Sequence, residues 1–98
     1  MHVAVLRIDF AIPGARSLKD RRQVVKSLKE RIQNRFNVCC AEVGDTESWV
    51  RASFGITSCS NDVEFLRDQM EALIRYAQND AGAAVGNVER DYFEYSSE

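Results

Sequence analysis

Residues 2–28 read HVAVLRIDFAIPGARSLKDRRQVVKSL, and within them the hydrophobic period changes from two to about 3.6. Over residues 2–12, Ala4, Leu6, Ile8, Phe10 and Ile12 alternate with Val3, Val5, Arg7 and Asp9, the pattern of a strand with one core face. Pro13-Gly14 stops it. Ser17 then stands as a helix N-cap with Asp20 three residues on, a capping-box spacing in which Asp replaces the usual Glu. From there Leu18, Val25, Leu28, Ile32 and Phe36 recur at helical steps and mark the buried stripe of a helix ending near Arg35.

The same reading extends along the chain. Residues 37–43, short and rich in Val and Cys, predict a second strand, and residues 44–48 a hairpin connection. Residues 49–57 alternate again, with Val50, Ala52, Phe54 and Ile56 facing one way and Trp49, Arg51, Ser53 and Thr57 the other. Ser60 or Asn61 caps a second helix with an inner stripe of Val63, Leu66, Met70, Leu73 and Ala77. Residues 79–82 end that helix, with Gly82 near its C-cap. Residues 85–95 form a charged strand suited to a sheet edge, and residues 96–98 a short tail. With right-handed crossovers, the order β-α-β-β-α-β predicts an α+β, ferredoxin-like fold in one domain over residues 1–95. A four-stranded antiparallel sheet then carries two helices on one face and leaves the other face open.

Ninety-eight residues hold one core, and 45% hydrophobic with 29% charged residues is the balance of an ordinary soluble domain. No apolar run approaches the ~20 residues that span a bilayer, so no membrane partner is expected. The first six residues lack a basic region, and Arg7 and Asp9 follow directly, so no signal peptide is expected either. Cys39, Cys40 and Cys59 are odd in number, and a bond between the adjacent pair would be strained. There is no C-x-x-C, and the sole histidine is His2, so no metal site and no cofactor is implied. Three free thiols predict a reducing cytoplasm.

The run Ser17-Leu18-Lys19-Asp20-Arg21-Arg22-Gln23-Val24-Val25-Lys26-Ser27-Leu28 resembles the opening helix of the YlxP-like family of small bacterial proteins. Arg35-Phe36-Asn37-Val38, Ala41-Glu42-Val43-Gly44-Asp45, Trp49-Val50-Arg51-Ala52 and Ser60-Asn61-Asp62 extend the resemblance over roughly residues 1–80. It departs at Cys39-Cys40, where that family usually has small or aliphatic residues, and in the aromatic, acidic last strand. The resemblance implies the ferredoxin-like fold and assigns no enzymatic activity, because that family is essentially uncharacterised. It also implies a setting near translation, because genes of that family often lie beside those of ribosome maturation and translation factors.

Charge is distributed unevenly. Residues 1–35 carry nine Lys/Arg against three Asp/Glu, and residues 36–98 carry four against twelve. Seven of the basic residues fall between Lys19 and Arg35. On a helical wheel Lys19, Arg22, Lys26 and Lys29 form one flank of the first helix, and Arg31 and Arg35 the other. Only one flank can face the second helix, whose solvent side is acidic (Asp62, Glu64, Asp68, Glu71). The other is a row of cations fit for phosphates, so the first flank is the candidate surface for structured RNA or the ribosome. A solvated face balanced by neighbouring acids is the plainer alternative.

Arg21 falls inside the apolar stripe and requires a carboxylate, from Glu42 or Asp9. On the open sheet face, Val3, Val5, Trp49 and Arg51 are expected side by side as a homodimer interface. A stacked base or a covering loop are the alternatives there, although residues 49–55 do not match the RNA-recognition consensus. A stripe of Phe65, Gln69, Ala72 and Tyr76 is expected to pack on the aromatic last strand (Tyr92, Phe93, Tyr95). The loop Pro13-Gly14-Ala15-Arg16 enters a helix N-terminus, where acylphosphatases hold phosphate on this fold. Their glycine-rich signature and strand asparagine are absent, and no nucleophile has a base beside it, so no catalytic residue is expected.

Overall fold

A period-two segment pairs only if its core face meets another, and the computed structural model, which describes residues 1–46 and 48–96, places those faces together. The elements run β1 (His2–Ala11), α1 (Leu18–Phe36), β2 (Cys39–Val43), β3 (Arg51–Ser60), α2 (Val63–Gln78) and β4 (Ala84–Glu94). The sheet order is β2-β3-β1-β4 with every neighbouring pair antiparallel. This is the ferredoxin-like α+β arrangement, with β1 and β3 central and β4 at an edge. Ala4, Leu6, Ile8, Phe10 and Ile12 are all buried against Leu28 and Ile32 of α1 and Leu66, Met70 and Leu73 of α2. The Phe10 and Phe54 rings meet edge-on, with centroids 4.9 Å apart.

Local chemistry sets the helix ends. Ser17 Oγ accepts the Asp20 N–H at 3.1 Å, as the capping pattern requires. The reciprocal bond goes one residue further out than in a standard box, from the Arg16 N–H to Asp20 Oδ2 at 3.1 Å. Asn37 closes α1 in the left-handed conformation (φ 52°), a role that Asn fills where Gly is not used. The cap of α2 is Asp62 and not Ser60 or Asn61. Its carboxylate accepts the N–H groups of Glu64 and Phe65, while Ser60 Oγ holds the Asp62 N–H. Asn79 is the C-cap of α2, and Gly82 donates its N–H to Asp80 Oδ2 outside the helix.

Two of the boundaries that differ from expectation have a local cause, while β3 also runs on to Ser60, three residues past its expected end. β2 starts at Cys39, because Asn37 is still committed to the α1 cap. β3 starts at Arg51, so Trp49 and Val50 stand outside the strand and are half exposed. The last cross-strand bond runs from the Ile12 N–H to the Val50 carbonyl at 2.7 Å. Beyond it Pro13 offers no N–H and turns the chain away, so Trp49 has no strand to pair with. Of the expected connection and tail, Glu47, Ser97 and Glu98 lie outside the described residues.

Candidate nucleic-acid interface

The two flanks of α1 meet different surroundings. Arg31 and Arg35 face α2. Arg31 Nη2 pairs with Asp80 Oδ1 at 2.7 Å, and its Nε and Nη1 donate to Ser27 Oγ and Tyr76 Oη. Asp80 thereby raises the Arg31 guanidinium above its ordinary value. The Arg35 guanidinium lies 5.0 Å from the centre of the Tyr76 ring. The expected acids of α2 are not the partners of either flank. Glu64 pairs with Arg67 of its own helix at 3.8 Å, and Glu71 with Arg90 of β4 at 2.9 Å.

The opposite flank carries Lys19, Arg22 and Lys26, all exposed, and the half-buried Lys29. Among the described residues none of these four forms an ion pair. From Lys19 to Lys29 is ten helical steps, about 15 Å along the axis. The flank lies on the β2 side of the molecule. Burial pushes the Cys40 thiol up to about 11, and the Lys29 ammonium opposes that rise, which places Lys29 beside β2.

Arg21 secures α1 to this side of the sheet. It is buried, and its Nη2 meets Glu42 of β2, one of the two carboxylates the sequence offered. Its Nε and Nη2 also donate to the Arg51 carbonyl at 3.3 and 3.1 Å, and Nη2 to the Asp45 carbonyl at 3.4 Å. Asp9, the other candidate, points to the open face, where it accepts from Arg7 Nε at 3.1 Å and Ser53 Oγ at 2.6 Å. The Ser53 bond first, and then the Arg7 charge, hold the Asp9 carboxyl below its ordinary value despite partial desolvation.

At the N-terminus of α1 the anion position is taken internally. Asp20 accepts the Arg16 N–H while Ser17 Oγ accepts the Asp20 N–H, so two of the donors that a phosphate would seek there are met within the chain.

The open face is divided where the sequence reading had it joined. Antiparallel pairing sets Val3 opposite Cys59 and Phe93, and Val5 opposite Thr57 and Asp91. Arg51 sits opposite Ala11, eight residues and about 27 Å further along the sheet, with Trp49 beyond it. Val3 and Val5 therefore never meet Trp49 and Arg51. The signal that separates them was available in the topology: the start of β1 must face the end of β3. Cys59, Thr57 and the half-exposed Phe93, whose place depends on strand register, join Val3 and Val5 in one patch.

The stripe on α2 also packs elsewhere. Tyr76 meets the Phe36 ring edge-on at 5.7 Å, and Gln69 Nε2 donates to the Phe36 carbonyl at 2.7 Å. Both residues thus hold the C-terminus of α1. Phe65 is half exposed, and Tyr92 lies under the Arg67 guanidinium at 4.6 Å.

A model of the family described as "Protein of unknown function (DUF503)" matches residues 3–90. The chain belongs to that family. A protein of Bacillus subtilis (strain 168), described as "Uncharacterized protein YlxP", is 47% identical over 53 residues. That stretch spans 54% of this chain and 58% of the relative, less than two thirds of its length. The resemblance to the YlxP-like family is thus substantiated. The de novo designed protein Foldit4 superposes with a TM-score of 0.53 at 15% identity, covering 96% of this chain and 99% of its own, a likeness of fold alone. The DUF503 match takes in β1 through most of β4, so the basic flank and the open face except its Phe93 end lie inside the family's extent.

Among the described residues, no helix is long and apolar enough to cross a membrane, and no group of three or more potential metal ligands comes together.

Proposed function

We propose that this family member is a cytoplasmic, non-enzymatic binding module that contacts structured RNA, the ribosome included, through Lys19, Arg22, Lys26 and Lys29. The observation that carries the reading is the asymmetry of α1. Arg31 and Arg35 are engaged by Asp80 and Tyr76, whereas the other flank has no ion pair among the described residues. A row of solvated cations over about 15 Å of helix recognises phosphate spacing and not base identity. Two exposed free thiols, Cys39 and Cys59, support a reducing compartment.

A salt-titrated binding assay with ribosomal RNA fragments tests this. Wild type binds at low salt with an affinity that falls steeply as salt rises, and each single change of Lys19, Arg22 or Lys26 to Gln flattens that slope by roughly one unit. Reversing all four residues to Glu abolishes binding with an unchanged circular dichroism spectrum. Wild type without RNA affinity at low salt would end the reading.

A second reading, self-association through the open sheet face, is favoured by one observation. Val3, Val5 and Phe93 gather at one end of that face, and Val5 and Phe93 are 38% and 55% exposed. Sedimentation of wild type beside Val5→Glu decides it: a dimer that dissociates in the variant supports the reading, and a monomeric wild type removes it.

A further inference from the structure

The end of the open face away from Val3 and Val5 holds a cavity of about 640 Å³. This lies within the roughly 300–1,000 Å³ typical of small-molecule sites. Its depth has a local cause. The β1–β4 register shifts between Ile8 and Phe10, and the residues bordering that irregularity are small: Ala11, Ala84 and Gly86. Asp45 and Ser48 form the facing wall.

The charged groups in this cavity are two guanidinia, of Arg7 and Arg51, and two carboxylates, of Asp9 and Asp45. Asp9, on its floor, already accepts two hydrogen bonds on one oxygen, from Ser53 Oγ and Arg7 Nε. Its role is to aim Arg7. The Arg7 guanidinium is drawn along β1 toward the cavity, and its Nη2 reaches Gly44, where a Cβ would stand 3.4 Å from it. The Nη groups of Arg7 make no hydrogen bond among the described residues, and the Arg51 guanidinium makes neither a hydrogen bond nor an ion pair there. Ser48 Oγ accepts from the Val50 and Arg51 N–H groups, which leaves its hydroxyl proton to donate.

Arg7 and Arg51 lie on adjacent strands, four residues apart in register, with the Asp9–Ser53 pair between them. About 13 Å of sheet separates their backbones, a span that two arginine side chains bridge toward one shared ligand. Guanidinium forks presented by two strands fit planar, charge-dispersed oxygens better than they fit a cation or a neutral polar group.

We propose that this cavity is a binding site for a small organic oxyanion, a carboxylate or a phosphate monoester, clamped between Arg7 and Arg51. The site is on the opposite side of the sheet from α1 and owes nothing to the RNA reading, so either stands if the other falls.

A ¹H–¹⁵N NMR titration of the full chain with inorganic phosphate and, separately, with succinate tests the proposal against sodium chloride of equal ionic strength. The expected result is saturable shifts of the Ser48, Arg51, Ser53 and Asn87 amides with at least one of the two anions and not with chloride. Arg51→Gln weakens that binding about tenfold or more, the loss of one charge-assisted hydrogen-bonding group. Arg75→Gln, which removes the same charge from the exposed side of α2, leaves it unchanged. Saturation by phosphate alone assigns the site to phosphate monoesters, and saturation by succinate alone to carboxylates. The proposal is overturned if neither anion saturates at tens of millimolar, if chloride produces the same shifts, or if Arg51→Gln binds as wild type does.

Discussion

Replacing Arg21 with Met removes a guanidinium that holds a carboxylate and two carbonyls at once. Because Arg21 is buried, its loss leaves Glu42 beside the core without a counter-ion, and the variant is expected to lose about 3 kcal/mol in urea denaturation. Arg21→Met combined with Glu42→Met recovers only part of that loss, since the Arg51 and Asp45 carbonyls remain without their donor. Asp9 behaves differently, being depressed and not buried. Its folded-state value lies below the ordinary carboxylate value, so its contribution to stability is complete above the ordinary value and is lost as pH falls through the depressed one. Ser53→Ala removes the largest cause and moves the Asp9 titration upward, as carboxyl ¹³C NMR reads directly. The three thiols separate as clearly. Exposed Cys39 and Cys59 react with a disulfide reagent in the native protein, whereas buried Cys40, pushed up to about 11, reacts only as fast as the chain opens.

At the scale of elements, the caps are the points where a single change acts on a whole helix. Ser17→Ala and Asp62→Ala each remove the acceptor of an otherwise orphaned N–H, and each is expected to lower stability by about 1 kcal/mol by thermal or chemical denaturation. Asn37→Gly is tolerated at φ 52°, whereas Asn37→Val is expected to cost about 1–2 kcal/mol there. How much of this was legible depended on whether the deciding force was local. Ser17 was readable because Asp20 follows at the right spacing, and the β1 core face because its alternation runs unbroken. The cap of α2 was not, because Ser60, Asn61 and Asp62 are all good caps and only the first helical residue, Val63, selects among them. Trp49 continued the alternation of β3 in sequence, yet strand pairing needs a neighbour, and Pro13 had already turned that neighbour away. On the candidate interface, the wheel separated the two basic flanks. It could not reveal that Arg67 and Arg90 take the acids of α2, since Arg90 is brought there only by the sheet.

For the whole molecule, the sheet separates two surfaces of different character. Helices and the basic flank lie on one side; the apolar patch and the arginine-lined cavity lie on the other. The four-residue charge reversal on α1 is therefore expected to leave the sedimentation coefficient and anion titration unaltered, which a shared surface would not allow. The central place of β1 also orders events in time. Its partners, β3 and β4, come from residues 51–60 and 84–94, and Tyr95 exchanges backbone hydrogen bonds with Met1. The β1 segment, made before its partners, must thus wait, with a strongly apolar face, for β3 and then for β4. Such long-range closure is expected to make folding slower than that of helical bundles, whose contacts are local. A chain arrested before residue 84 leaves one edge of β1 unpaired, a template for aggregation until β4 covers it.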